Sequence, residues 1–325
     1  MVKIIDRTLS CLDDYSIDKI SLKRLLTLLL QINCDKVELS EKIYQAIKPL
    51  PPQENYVLRI NNLSNRDRYP EFNEFVCENF HSVEDQSVTT EIKIDHVTEV
   101  DKLNHYFQFR KIRVSGLDDA MLHDYETIFK KIRGVTGETI EFCPMNRLKC
   151  ATAIASEWDV SCNNATIVTS FGALKDCTPL EELMLTLHIH RRLIDKYECQ
   201  NFLRIKELIE SIIHVPFLKH KAIIGSEIFH VESGIHIDGI RKNPYCYEPY
   251  DPEFVGQKRQ IILGKKSGRA SIVLKIKELN LNLDERLLPQ ILQKVKMLSI
   301  NKNDKISDAE FRKIVDEVVK MGCVN

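Results

Sequence analysis

The chain has 325 residues, enough for roughly two ordinary domains or one large α/β barrel with an appendage. Hydrophobic residues are 43% and charged residues 29%, the composition of a folded protein with a full core, which excludes disorder as the general state. Lysine and arginine total 46 against 47 for aspartate and glutamate, so there is no net basic field for nucleic acid or an anionic membrane surface. The opening residues, Met1 to Arg7, carry charge where a secretion signal needs an apolar run, and runs such as Leu25–Leu30 are too short to cross a bilayer. A cytoplasmic protein is expected, its ten cysteines kept as thiols and most of them used as small apolar residues.

In chain order, Lys3–Leu9 reads as a short buried strand, and Ser16–Asn33 carries apolar residues at helical spacing. Asp35–Leu39 is strand-like, and Ser40 is placed to cap a helix over Glu41–Ile47. Pro49, Pro51 and Pro52 then break the chain. Tyr56–Ile60, Glu91–Ile94, Lys111–Val114, Thr139–Phe142 and Ala165–Ser170 read as further strands, with helices over Asp118–Ile132 and Thr178–Tyr197. Alternation of this kind predicts βαβ units and a parallel sheet. With about seven strands where a closed (β/α) barrel has eight, the expectation is a degenerate or incomplete barrel over residues 1–199, lacking a βα unit between Val114 and Ile140. Residues 200–325 are expected to form a mainly helical linker and lid region: a helix over Asn201–Ile213, a turn-rich stretch over Gly225–Gly268, then two or three helices with a break near Ser307.

Standard phosphate-loop, dinucleotide, hydrolase and zinc-protease motifs are absent from the sequence. His188 and His190 would suit a metal on a strand, but the helical spacing around them sets the two rings about 200° apart. The densest polar block runs from Glu232 through Ser233, Gly234, His236, Asp238 and Gly239 to Ile240. A histidine between two glycines, beside a serine and carboxylates, suits a general acid or base on a tight turn, though composition alone favours a structural histidine bonded to backbone. Tyr245, Tyr247 and Tyr250 follow in a proline-rich loop, as packing anchors or as a proton donor. Leu263–Ala270 combines glycines and cations ahead of a helix, which fits either an anion site or a plain turn.

Taken together, these blocks resemble the homocitrate synthase and 2-isopropylmalate synthase family. Ser-Gly-Ile-His-Ile-Asp-Gly begins at Ser233, Tyr-Glu-Pro-Tyr-Asp-Pro-Glu-Phe-Val-Gly at Tyr247, and Ile-Leu-Gly-Lys-Lys-Ser-Gly-Arg at Ile262. The likeness is nearest to members associated with nitrogen fixation. It implies a barrel that condenses acetyl-CoA with a 2-oxo acid at a divalent metal and then hydrolyses the thioester. The family's Asp-Thr-Thr-Leu-Arg-Asp-Gly-Glu-Gln motif falls on Asp6–Asp14, which puts Ser10 at the catalytic arginine and Cys11 at a metal carboxylate. Its His-x-His-Asn-Asp motif falls on Cys143–Arg147, with Cys143 and Met145 at the histidines, and its Glu-Arg pair falls on Ala173 and Leu174.

A hard divalent ion needs oxygen ligands, which Cys11, Cys143 and Met145 lack. Those side chains would make either an apolar plug or a soft site for Cu(I) or Zn²⁺. The residues that family members lend across a subunit interface fall on His236 and Tyr247, both intact, while Val231 stands where a further histidine is common. Glu232, Ser233 and Asp238 are the supporting loop. The resemblance therefore implies an omega-type subunit of a heteromeric homocitrate synthase. Such a chain carries no metal or other cofactor and lends His236 and Tyr247 to a catalytic alpha-type partner, which supplies the divalent metal at a site shared by acetyl-CoA and 2-oxoglutarate. A non-catalytic regulator or scaffold of the same ancestry, and a stand-alone acyltransferase with a soft-metal site, are the alternatives.

Overall fold

The computed structural model describes residues 2–52, 55–78, 87–135, 139–162, 164–191 and 197–322. Eight strands, β1 (Lys3–Asp6), β2 (Lys36–Ser40), β3 (Tyr56–Arg59), β4 (Phe75–Glu78), β5 (Val88–Ile94), β6 (Lys111–Gly116), β7 (Thr139–Pro144) and β8 (Thr166–Ser170), pair in sequence order, each parallel to the next. β1 also pairs with β8, Lys3 opposite Thr166 and Asp6 opposite Thr169, so the sheet closes into a (β/α) barrel. A two-residue strand, β9 (Thr178–Pro179), adds to the end of β8.

The strand count corrects the expected gap. The segment between Val114 and Ile140 holds an ordinary crossover, with helix α3 (Tyr125–Arg133) between β6 and β7. The strand that periodicity misses is β4, only four residues long in a polar neighbourhood. Reduction lies in the crossovers instead. A 3₁₀ segment over Leu63–Arg68 with no buried residue stands between β3 and β4, and another over Val97–Tyr106 stands between β5 and β6. The first lacks the apolar stripe that a helix needs to pack on a barrel, while the second buries only Val100 and Leu103. The other barrel helices are α1 (Lys19–Gln31), α2 (Glu41–Ile47), α4 (Ala151–Ser161), α5 (Leu180–Arg191) and α6 (Phe202–Ile213). Ser40 caps α2 as its position in the sequence requires, accepting from the Ile43 amide at 3.1 Å. α5 contains His188 and His190, so these two sit on a helix.

The barrel interior is ionic. Glu38 on β2, Arg59 on β3, Glu91 on β5, Arg113 on β6 and Glu141 on β7 point inward, joined by Arg7 just past β1. Arg113 donates from Nε to Glu141 at 2.8 Å and from Nη1 to Glu38. Arg59 donates from Nε to Glu38 at 2.8 Å and also to Glu91, while Arg7 Nη1 lies 3.4 Å from Glu91. Burial alone would raise the Glu38 carboxyl, but Arg113, Arg59 and Arg7 hold it well below the usual carboxylate range.

The chain divides into two compact units, the first comprising residues 1–218 with 222–224 and the second 219–221 with 225–325. The first unit therefore continues past the boundary expected at residue 199, because α6 packs on α1 and buries Phe202, Ile205 and Ile209. The second unit contains strands β10 (His230–Val231) and β11 (Gln260–Ile261), paired in parallel, and helices α7 (Gly234–Lys242), α8 (Arg269–Glu278), α9 (Leu288–Lys302) and α10 (Asp308–Gly322). It has its own apolar core, including Leu263, Ile272, Ile291, Val295 and Phe311.

Removing one partner from the interior network leaves buried charge uncompensated. Arg113→Ala should lower barrel stability by about 3–5 kcal/mol. Arg66→Ala, which removes an exposed ion pair with Asp67, should cost under about 0.5 kcal/mol. Urea unfolding followed by the fluorescence of Trp158, the single tryptophan and buried in the barrel, measures both.

Candidate functional site

Parallel strands present their C-terminal ends at one mouth, where barrel sites form. A cleft of about 390 Å³ opens there, lined by Arg7, Ser10, Cys11, Glu91, Lys175 and Cys177 among others. The four positions matched to the family's arginine and metal ligands are placed at this mouth. Ser10 and Cys11 sit on a 3₁₀ turn (Ser10–Leu12) directly after β1, and Cys143 and Met145 sit at the end of β7. Ser10 Oγ donates to Glu38 at 2.9 Å and is committed to the ionic layer. Cys11, Cys143 and Cys177 are buried in one cluster with Ile5 and Val168, and Met145 packs against it.

Cys177 is the residue that sequence reasoning missed. Its signal was its place at the end of the turn aligned with the family's Glu-Arg motif. That turn, Phe171–Asp176, takes left-handed backbone at Gly172, Ala173 and Lys175, and places Cys177 against the other two thiols. A hydrogen bond with Cys11 and burial push the Cys177 thiol up to about 12, and a hydrogen bond with Cys177 and burial raise Cys143 well above its ordinary value. Thiols in this state are neutral and inert at physiological pH. The donor set does not fit the family's hard divalent ion, since three sulfur side chains replace oxygen and imidazole. A soft ion would first have to expel protons from buried sulfurs.

Asp6 is the acidic residue left at the top of β1. It is fully buried, and its Oδ1 accepts from the Thr8 amide at 3.1 Å and the Thr8 hydroxyl at 2.5 Å, while Oδ2 has no partner among the described residues. Burial, with Glu38 and Glu181 nearby, raises its carboxyl to about 7.

In the second unit, the block expected to be a tight turn is the helix α7. Ser233 is its N-cap residue, with no side-chain capping bond, and His236 lies in its first turn, exposed, next to the buried Ile237 that anchors the helix. Tyr247 is 47% exposed, and its ring centroid lies 5.4 Å from that of His236. Gly239, one turn beyond His236, makes this pairing possible: a Cβ there would lie 2.4 Å from Cε2 and Oη of Tyr247. The two glycines thus serve close approach rather than a turn, because Gly234 likewise abuts Gly268 at the start of α8.

Glu232 does not face a substrate space but accepts from the Lys266 amide at 2.6 Å, which ties the Leu263–Gly268 turn to the start of α7. Asp238 is paired with Lys242 at 2.7 Å, one turn along the same helix. The five residues expected in this region are therefore brought together on one short helix and its flanks, with His236 and Tyr247 as the exposed pair.

The comparisons with known proteins follow this division. The family model described as homocitrate synthase post-HMGL domain-like matches residues 223–303, which spans the His236 and Tyr247 motifs. The barrel is similar in fold to hydroxymethylglutaryl-CoA lyases. That from Brucella melitensis has a TM-score of 0.52 at 9% identity, covering 65% of this chain and 98% of that one. That from Pseudomonas aeruginosa has a TM-score of 0.50 at 13% identity, covering 66% and 93%. Fold and motifs together make the chain similar to the homocitrate synthases and 2-isopropylmalate synthases, which are enzymes of acyltransferase type.

Along nearly its whole length it is similar to the homocitrate synthase omega subunit of Clostridium pasteurianum, 28% identical over 98% of this chain and 96% of that protein. Homocitrate synthase AksA of Methanocaldococcus jannaschii is 34% identical over 48% of this chain and 38% of its own length. 2-Isopropylmalate synthase 2 of Caldanaerobacter subterraneus subsp. tengcongensis is 34% identical over 48% and 40%. No described helix is long and apolar enough to cross a membrane.

A carboxyl that keeps its proton in the folded barrel but loses it in the unfolded chain makes stability fall as pH rises. For Asp6 the window runs from about 4, the unfolded value, to about 7. Asp6→Asn, which resembles the protonated acid, should flatten this fall by up to roughly 1.4 kcal/mol per pH unit. Urea midpoints of the two proteins compared across that range measure it.

Proposed function

We propose that this chain is an omega-type subunit of a heteromeric homocitrate synthase. It lends His236 and Tyr247 to the metal-containing barrel of an alpha-type partner that uses acetyl-CoA and 2-oxoglutarate. The observation that carries this reading is an asymmetry within one chain. The barrel positions matched to metal and arginine are filled by Cys11, Cys143, Met145 and Ser10, while the exposed pair on α7 and its loop is complete. The full-length likeness to a protein named as an omega subunit supports it.

In this reading His236 takes a proton from the methyl group of the bound acetyl thioester, and the resulting carbanion adds to the carbonyl carbon of the 2-oxo acid. Tyr247, held over Gly239 beside the imidazole, positions it or donates a proton to the developing alkoxide. The carboxylate-binding residues and the divalent metal belong to the partner. Exposed apolar side chains beside the pair, Ile235 at 79% and Tyr245 at 77%, are surface that a partner would cover.

The test is co-purification with an alpha-type partner, then homocitrate assays on each chain and on the mixture. Activity should require both chains, and robust synthesis by this chain alone overturns the reading. His236→Ala should leave folding and partner affinity within about 0.5 kcal/mol, as exposed substitutions do. It should nevertheless lower turnover of the mixture by roughly 10²-fold or more, the scale for loss of a general base.

Tyr247→Phe should act in the same direction with smaller effect. Gly239→Ala should reduce turnover by displacing the Tyr247 ring, and Cys11→Ala should leave turnover almost unchanged. Loss of activity in Cys11→Ala with none in His236→Ala would place the chemistry in this chain's own barrel.

A further inference from the structure

Away from the sulfur cluster, the loops that follow β5 and β6 bring His96, Asp119 and His123 together. Their ligand atoms all lie within 4.8 Å of one another. Asp119 and His123 bracket a single 3₁₀ turn, Ala120–Leu122, and His96 stands at the head of the Val97–Tyr106 segment. His96 Nε2 lies 2.9 Å from Asp119 Oδ2, and His123 Nε2 lies 3.7 Å from the same oxygen. Ligand bonds of about 2.0–2.1 Å in a tetrahedral zinc site put neighbouring donor atoms about 3.3 Å apart. The two observed separations bracket that value.

A second observation points to a ligand. Asp119 is buried, at 6% exposure, and its Oδ1 is shielded from solvent with no hydrogen-bond partner. Oδ2, the oxygen facing both imidazoles, also accepts from the Val97 amide at 3.3 Å, and a cation on this carboxylate would offset the cost of burying it with Oδ1 unpaired. His96 also has the outer contact that a metal-binding histidine uses. Its Nδ1 accepts from the Thr98 amide at 3.3 Å and lies 3.0 Å from Thr98 Oγ1, so a metal on Nε2 would move the ring proton to Nδ1 and exchange the amide bond for donation to that hydroxyl.

We propose that His96, Asp119 and His123 form a site for a divalent first-row transition ion of the Zn²⁺ type, with two imidazole nitrogens, one carboxylate oxygen and a fourth position open to water. Nitrogen and oxygen donors of this mix suit Zn²⁺ and disfavour Mg²⁺, which seeks oxygen alone. Two of the ligands follow β6 and one follows β5, so the ion ties two adjacent loops at the barrel mouth. The site lies apart from the sulfur cluster, narrows the expected absence of any metal on this chain to that cluster, and does not depend on the proposed function.

The experiment uses the full chain, stripped with chelator and titrated with Co²⁺ and Zn²⁺ under reducing conditions. One equivalent of Co²⁺ should bind with the visible absorption of a nitrogen and oxygen site, without sulfur-to-cobalt charge transfer, and Zn²⁺ should displace it. Zn²⁺ should raise the thermal midpoint of the wild-type chain. Both histidines are exposed, so His96→Ala and His123→Ala should fold, yet each should lose stoichiometric binding and the thermal shift. Thr98→Val should weaken binding about 10-fold or more, the scale for an outer hydrogen bond. Absence of binding, equal binding by wild type and histidine variants, or a cobalt spectrum dominated by thiolate charge transfer overturns the proposal.

Discussion

Glu38 is the residue on which the barrel is organised. A carboxylate with no exposed surface costs several kcal/mol to bury unless cations answer it, and here three do, from β3, from β6 and from the end of β1. Arg59 and Arg113 in turn reach Glu91 and Glu141, so charges from most of the strands are interlocked across the interior. Because inward and outward residues alternate along a strand, a slip of one residue in β2 would turn Glu38 outward and deprive three guanidinium groups of a shared partner. We read the network as the device that fixes register in a barrel whose crossovers between β3 and β4 and between β5 and β6 are 3₁₀ segments rather than α-helices.

The same network limits what the mouth can do. Arg7 lines the cleft, and both it and Arg59 are committed to Glu38 and Glu91, so neither is free to meet a substrate carboxylate in a bidentate grip. Above this ionic layer the side chains turn apolar, with Ile5, Val168 and the thiols of Cys11, Cys143 and Cys177. Inward positions two apart on β7, Glu141 and Cys143, mark the step from one layer to the next. What remains is a packed barrel whose cleft has charged walls and a floor of thiols.

Much of this was legible in the sequence, and the failures have physical causes. The alternation of apolar runs was enough for a parallel barrel, and Ser40 for the start of α2, because capping and burial leave local marks. β4 left none, since four residues with a glutamate at the end do not make a period. The boundary at residue 199 was misplaced because α6 carries an apolar face like any helix, and which unit it packs on is a tertiary matter. At the site, motif alignment placed Cys11, Cys143 and Met145 at one mouth across more than a hundred residues of chain. Cys177 escaped because it lies in a turn whose left-handed backbone at Ala173 and Lys175 no local rule foretells. His236 was singled out as a motif residue but assigned to a turn, since two glycines read as flexibility when their role is close packing.

That last point bears on how the two halves of the chain divide the work. The second unit folds around its own core of Leu263, Ile272, Ile291 and Phe311, so the α7 surface is set without help from the barrel interior. Ile237 anchors one face of α7, Glu232 fixes its start through the Lys266 amide, and Gly239 lets Tyr247 lie against the opposite face beside His236. In the proposed reading this imidazole and phenol work as a pair, and a base acts only on a proton within hydrogen-bond reach of a bound substrate. In the proposed reading the electrophile and its metal are supplied by another chain. Selection can then let the barrel mouth fill with sulfur and apolar side chains, while every contact that aims His236 and Tyr247 must persist.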